Sequence, residues 1–493
     1  MKISQGPLLS LFDADGSQPL QQQLFDRLRG AIVAGALRPG DRLPSTRTLS
    51  RDLGVSRNTV VAATDRLAAE GYLEARIGSG TYVARSLPDD AMAPPLRLAR
   101  PTPSPRPLPP PTAAAELLPF RPAVPAYDQF EIETWRRLLA KRWRDAGGLL
   151  LGHDTGGGWL PLRRVLASHL QTSRGLSCDA EQILVLPGRT ASLDFALGLL
   201  AVAGDRIWLE DPCCPVQRSL AAGRGLLSVP VPVDAEGMDA EAGRRLAPDA
   251  RLALVMPGWQ FPAGGTMSLR RRQALLGWVR RSGAWIVEDD GDGGLRYAGR
   301  PLPSLQGLDD SGRVLHLGGL DRTILPALRL SWLVLPPDLV TSARALRSRL
   351  ELTVPLPEQM AVHDLLAEGH LASHLRRVRR SYGERQQALL DAAARRWAGA
   401  LSVQAADAGL HVTARIDPQI DLGAAALEQA AAAQGLELPA LSGYGGGDRR
   451  TLVLGYAAFT PERIARAADR LATVLDRMAR PDHRRLPRDG RRA

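Results

Sequence analysis

The stretch LPSTRTLSRDLGVSRNTVVAATDRLAAEGYLEARIGSGTYV, residues 43–83, decides how the first part of this chain folds. Two short helical patterns flank the tight turn Leu53-Gly54-Val55. Ser56 opens the second, and its side-chain oxygen can accept from the orphan N–H groups of a helix start. Apolar residues recur at Val60, Ala63, Leu67 and Tyr72, which gives one buried stripe. Arg57, Asn58 and Thr59 are thereby left facing outward at the first turn. A helix-turn-helix offers that end of its second helix to base edges in the major groove. Past Gly71, the alternating segments Tyr72–Arg76 and Gly80–Val83 enclose Ile77-Gly78-Ser79, as in a two-stranded wing with a glycine-rich tip.

From about Pro19 to Val83, the residues closely resemble the GntR family of bacterial winged-helix repressors, including Gly35-Ala36-Leu37-Arg38-Pro39-Gly40-Asp41-Arg42-Leu43-Pro44-Ser45-Thr46-Arg47. The resemblance implies a double-stranded DNA operator as partner, with Arg47, Arg57 and Gly78 at positions that approach it. The recognition start Ser56-Arg57-Asn58-Thr59 completes the candidate DNA-binding set. The alternative is a three-helix interaction module whose arginines are merely solvated.

With 493 residues, 44% of them hydrophobic, the chain is long and apolar enough for two or more domains. Its net charge of +11 suits a polyanionic partner, although part of it lies in the arginine-rich end at 481–493, expected to be a basic tail. No apolar run reaches bilayer-spanning length and MKISQGPLLSLF lacks a signal-peptide layout, so a cytoplasmic protein is expected. Cys178, Cys213 and Cys214 have the spacing of neither a zinc site nor a disulfide framework, and no metal is expected. Cys213-Cys214 reads as two small loop residues, with a thiol sensor as the alternative.

The amphipathic pattern from Gln18 to Gly35, with Leu20, Leu24, Leu28, Ile32 and Val33 on one side, supplies a first helix; a second runs from near Ser45 to Leu53. The winged-helix domain is expected over residues 1–84. Prolines crowd the next stretch, expected over 85–117 as a semi-extended linker. Thereafter strand-like and helix-like segments alternate, which predicts an α/β domain with a mostly parallel sheet and a smaller C-terminal subdomain. Candidate strands are 183–186, 206–209, 252–255, 284–287, 314–317 and 330–334.

Short motifs punctuate that region in order: Gly188 in a strand-to-helix turn, Glu210-Asp211-Pro212, Gln260-Phe261-Pro262-Ala263-Gly264, Glu288-Asp289-Asp290 and Leu325-Pro326-Ala327-Leu328-Arg329. Residues 118–480 resemble the fold-type I aminotransferases. Their fusion behind a GntR-like head looks like the MocR-type regulators, described as aminotransferase-derived sensors acting as head-to-tail homodimers. The resemblance implies pyridoxal phosphate as cofactor, Asp289 beside its pyridine nitrogen, Arg329 at its phosphate, and a Schiff-base lysine seven residues before Arg329.

That last position is Arg322, and a guanidinium, protonated at any accessible pH, cannot form the internal aldimine. The chain's two lysines, Lys2 and Lys141, precede every cofactor motif. The tyrosine expected two residues after Asp289 is Gly291, the expected ring-stacking aromatic is Cys214, and the expected histidine before the Gln-Phe-Pro motif is Trp259. The expectation is a transcriptional regulator without transaminase activity; the rival is an aminotransferase carrying a DNA-binding head. Three uses of the altered pocket stay open: a relic within a dimerising scaffold, noncovalent pyridoxal phosphate, or a different small anionic effector held by Arg322 and Arg329.

Overall fold

The computed structural model describes residues 18–76, 79–88, 117–144, 156–291, 293–299 and 303–479. The wing glycine Gly78, the prolines at 89–116 and the expected tail at 481–493 lie outside the described residues. Contacts group the chain into two compact units, Met1–Pro111 and Thr112–Ala493.

In the first unit, α1 (Leu20–Val33), α2 (Thr46–Leu53) and α3 (Arg57–Ala69) precede the hairpin of β1 (Leu73–Arg76) and β2 (Gly80–Val83), in which Leu73 faces Val83 and Arg76 faces Gly80. Gly54 ends α2 in the left-handed conformation (φ 67°), which glycine adopts without steric cost and which turns the chain toward α3. One core joins Leu24, Phe25, Leu28 and Ile32 of α1 to Leu49, Val60, Ala63, Leu67, Leu73 and Val83. Burying each leucine or valine there contributes about 1.5–3 kcal/mol.

Three details differ from expectation. Leu20 and Val33 are 42% and 55% exposed, because the stripe runs through Leu24, Leu28 and Ile32 with Phe25 alongside. Tyr72 lies beyond α3, folded back after Gly71 so that its N–H donates to the Leu67 carbonyl (2.9 Å) and its hydroxyl accepts from Arg29 (2.9 Å). Leu87 belongs to the head's core, so the head extends past Ala84, where the linker was expected to begin.

The second unit is built on an eight-stranded sheet. Its strands are β3 (Ile183–Leu186), β4 (Arg206–Asp211), β5 (Leu227–Asp234), β6 (Gly237–Met238), β7 (Leu252–Val255), β8 (Trp285–Asp289), β9 (Val314–Gly319) and β10 (Ser331–Val334). Their order is β3-β10-β9-β8-β7-β4-β5-β6. The run from β5 through β4, β7 and β8 to β9 is parallel, whereas β10 is antiparallel to both neighbours. The strands β3, β7, β8 and β10 are buried throughout, as expected where both faces of a sheet are covered. β5, which carries Pro230 and Pro232, is not among the candidate strands. It pairs with β4 from Leu227 to Pro232 but with β6 only at Val233 and Asp234, so missing N–H groups are tolerated on the β6 side.

A smaller antiparallel sheet, β11 (Leu401–Val403), β12 (His411–Ile416) and β13 (Thr451–Gly455), follows in the order β11-β12-β13. The helices His370–Arg396 and Pro461–Ala479 contribute to the core that includes this sheet. Among the described residues no helix is long and apolar enough to cross a membrane.

Candidate functional site

In the head, Ser45 caps α2 and Ser56 caps α3, each hydroxyl oxygen accepting from the backbone N–H three residues on, Thr48 at 3.2 Å and Thr59 at 3.1 Å. These caps fix where each helix begins and therefore which residues occupy its open end. Arg47 sits exposed in the first turn of α2, and Arg57 and Asn58 are exposed in the first turn of α3. Thr59 departs from the expected outward-facing row: it is half-buried, its hydroxyl 2.8 Å from that of Ser56. Ser56→Ala is expected to lower the head's stability by about 1 kcal/mol, measured by urea unfolding of residues 1–111 or of the whole chain.

In the second unit, strand alternation separates Asp289 of the acidic triplet at the end of β8 from Glu288 and Asp290, which both approach His316 (3.4 Å and 3.9 Å). Glu288 accepts from the backbone N–H groups of Leu305 (2.7 Å) and Gln306 (3.1 Å). Asp290 holds Arg174 in a two-pronged pair, both contacts at 2.6 Å. Asp289 meets Arg189, the first residue of α6 (Arg189–Leu200), after the helices α4 (Ile132–Arg144) and α5 (Leu160–Arg174). Arg189 Nε donates to Asp289 Oδ1 at 2.8 Å, and a second guanidinium N–H bonds Oδ2. Gln217 adds a third donor to Asp289 at 3.2 Å. The Asp289 side chain has no exposed surface. Burial disfavours the Arg189 charge, but the field and hydrogen bonds of Asp289 outweigh it and raise the guanidinium pKa.

Arg322 lies close by, buried, its guanidinium 5.3 Å from the ring centre of Phe261. Phe261 in turn packs edge-on to His411 (5.1 Å) and Tyr444 (5.4 Å), and shares an apolar cluster with Cys214 and Met256. Trp259 lies against the bare backbone of Gly409, where a Cβ would stand 2.2 Å from the indole nitrogen. A Cβ added at Gly291 would be 3.5 Å from Arg189 Nε and 3.6 Å from Arg322 Cδ. Arg329 is exposed, in a left-handed conformation (φ 43°) beside Gly188. Of the two arginines expected to hold a small anion, Arg322 is buried on an aromatic ring and Arg329 is open to solvent. Cys213 and Cys214 are both buried, and burial pushes the Cys213 thiol pKa up, so Cys213 is no ready thiolate.

Lys141, which the sequence left as the sole lysine outside the leader, pairs with Glu368 (3.3 Å) and Asp364 (3.9 Å). The sequence reading missed Arg189 and Gln217 altogether. The local signal at Arg189 was a cation at a helix N-terminus, where the macrodipole disfavours it.

Residues 20–83 match the family described as bacterial regulatory proteins, gntR family. Over 475 residues the chain is 36% identical to the probable rhizopine catabolism regulatory protein MocR of Rhizobium meliloti, covering 94% of this chain and 95% of that protein. The chain belongs to the MocR-type regulators of the GntR family. A second relative, the pyridoxine biosynthesis transcriptional regulator PdxR of Corynebacterium glutamicum, is 35% identical over 86% of this chain and 88% of its own length. Among solved structures, LysN, an α-aminoadipate aminotransferase from Thermus thermophilus complexed with N-(5′-phosphopyridoxyl)-L-leucine, is 28% identical. It matches 73% of this chain and 92% of LysN at a TM-score of 0.67. The second unit thus has the aminotransferase fold, and the chain is a regulator by family.

Pyridoxal phosphate, the group this fold implies, does not fit the residues present. The carboxylate that would meet a protonated ring nitrogen is already satisfied by Arg189 and Gln217. The flank that a phenol would fill at residue 291 is bordered by two arginine side chains.

Proposed function

We propose that this MocR-type regulator binds a specific DNA operator through Arg47, Arg57, Asn58 and the wing around Gly78, and that its aminotransferase-like unit performs no transamination. The observation that carries the DNA half is the pair of serine-capped helices presenting exposed Arg47, Arg57 and Asn58 at their open ends. Guanidinium and amide groups there suit bidentate contacts to guanine and adenine edges, while the helix N-termini favour nearby phosphates. Ser56 and Thr59 act by fixing the helix start rather than by reaching DNA first.

The catalytic half is supported by the family resemblance, which puts Arg322 at the position of the Schiff-base lysine, and by the seat of its guanidinium over Phe261. Such a residue supplies no nucleophilic amine. The chain assembles as a homodimer through residues 118–480, so that two heads read two half-sites, arranged as direct or inverted repeats. A small anion is the class of effector that the exposed Arg329 would accept.

The test measures binding of the full chain to an operator obtained by selection from random duplexes. Arg57→Ala is expected to weaken operator binding by about 1–3 kcal/mol and to affect unrelated DNA less. An Arg57→Ala protein that binds the operator as tightly as the parent would sink the assignment. Sedimentation of the same preparation checks the dimer, and a monomer with and without DNA would contradict it.

A further inference from the structure

We infer that Arg189 is a built-in occupant of the coenzyme cradle. Its guanidinium takes the place beside Asp289 that a protonated pyridine nitrogen would need, so the chain binds neither pyridoxal phosphate nor its amine form. The inference rests on reading Asp289, Arg322 and Arg329 as the remains of that cradle.

Three observations carry it. The first is the completeness of the pairing. Arg189 grips both oxygens of Asp289, Gln217 donates to the same carboxylate at 3.2 Å, and the Asp289 side chain is wholly enclosed. A ring nitrogen could approach only by expelling one of these donors, and a second cation would then face Arg189 at close range.

The second is position. Arg189 is the first residue of α6, after Gly188 with φ 94°, and the helix start has no side-chain cap. A cation there is opposed by the helix macrodipole. Its compensation is Asp289, 100 residues away in sequence, which is where a coenzyme cation would otherwise supply the same balance.

The third is volume. Gly291 leaves its flank open, and the groups next to it are the side chains of Arg189 and Arg322. The two arginine side chains therefore line the flank that a ring on residue 291 would share, a Cβ there already standing in van der Waals contact with both (3.5 Å and 3.6 Å). Glu288 and Asp290 have partners of their own, so neither is left to take the role Asp289 has given up.

The experiment titrates the full-length protein with pyridoxamine 5′-phosphate, which needs no lysine, and follows bound coenzyme by equilibrium dialysis. The parent is expected to show no saturable binding. Arg189→Gln removes the cation and keeps a donor for Asp289, and it is expected to gain saturable binding. Arg189→Lys restores a cation and is expected to bind none. Adding Asp289→Asn to Arg189→Gln abolishes the gain. Saturable binding by the parent that Asp289→Asn removes would overturn the inference, as would an Arg189→Gln protein that folds and gains nothing.

A second measurement depends on no variant: the parent's urea midpoint stays fixed as pyridoxamine 5′-phosphate is added, and a rise overturns the inference. Failure of the underlying site reading looks different. A borohydride-stable phosphopyridoxyl adduct of the parent, formed with pyridoxal phosphate and mapped to Lys141, would overturn that reading and the inference with it, independently of Asp289.

Discussion

Arg189→Met is expected to destabilise the aminotransferase-like unit by about 3–5 kcal/mol, because it strands the Asp289 carboxylate in a site with no solvent access. The remaining donor, Gln217 at 3.2 Å, satisfies one oxygen and supplies no charge. Asp289→Leu should cost a similar amount by the converse route, leaving a buried guanidinium unpaired. The double variant places two apolar side chains in contact and removes both desolvation costs, so it should be more stable than either single variant. The double-mutant cycle in urea then gives a large coupling between residues 189 and 289. Strictly additive losses would mean that the pair seen between α6 and β8 contributes nothing as a pair.

A second large effect is expected from acid, through His411. Its Nε2–H donates to the Pro262 carbonyl at 3.0 Å, and its ring lies edge-on to Phe261 and Trp259. Burial, with the nearby Arg322 charge adding to it, lowers its pKa from 6.5 to about 4. A histidine kept neutral by the fold stabilises above its unfolded pKa. That contribution is lost as pH falls from 6.5 toward 4, by about 3 kcal/mol in all.

Glu210 has the opposite slope: burial raises its pKa to about 8, so its contribution is present below 4.5 and lost as pH rises toward 8. Comparing the parent with His411→Gln, whose amide can still donate to Pro262, cancels Glu210 and isolates the histidine. The parent's advantage over His411→Gln should shrink by about 3 kcal/mol across that acid interval. An advantage independent of pH would show that His411 titrates normally.

What the sequence made legible follows from how local each signal is. Ser45, Gly54 and Ser56 mark helix ends through their own backbones, and the structure places all three at those ends. The apolar runs at β3, β4 and β7 through β10 were visible because a strand covered on both faces needs no alternation. β5 was not picked out, and the meaning of its Pro230 and Pro232 depends on which edge of the strand lacks a partner. The candidate site was legible residue by residue but not as an arrangement. Asp289 and Arg322 could be picked out by their place among motifs, yet the partner of Asp289 is Arg189, 100 residues earlier, and nothing in the local pattern links them. Arg322 read as an anion donor, and a sequence does not reveal that its guanidinium lies over Phe261.

The central claim is a DNA-reading regulator whose aminotransferase-like unit needs no coenzyme. Its most direct measurement is fluorescence anisotropy of the selected operator with coenzyme-stripped protein, repeated with pyridoxal phosphate in large excess. Tight, operator-specific binding with the same affinity in both titrations is the predicted result. Binding that is absent until pyridoxal phosphate is added, or that fails to distinguish the operator from unrelated duplex, would contradict it.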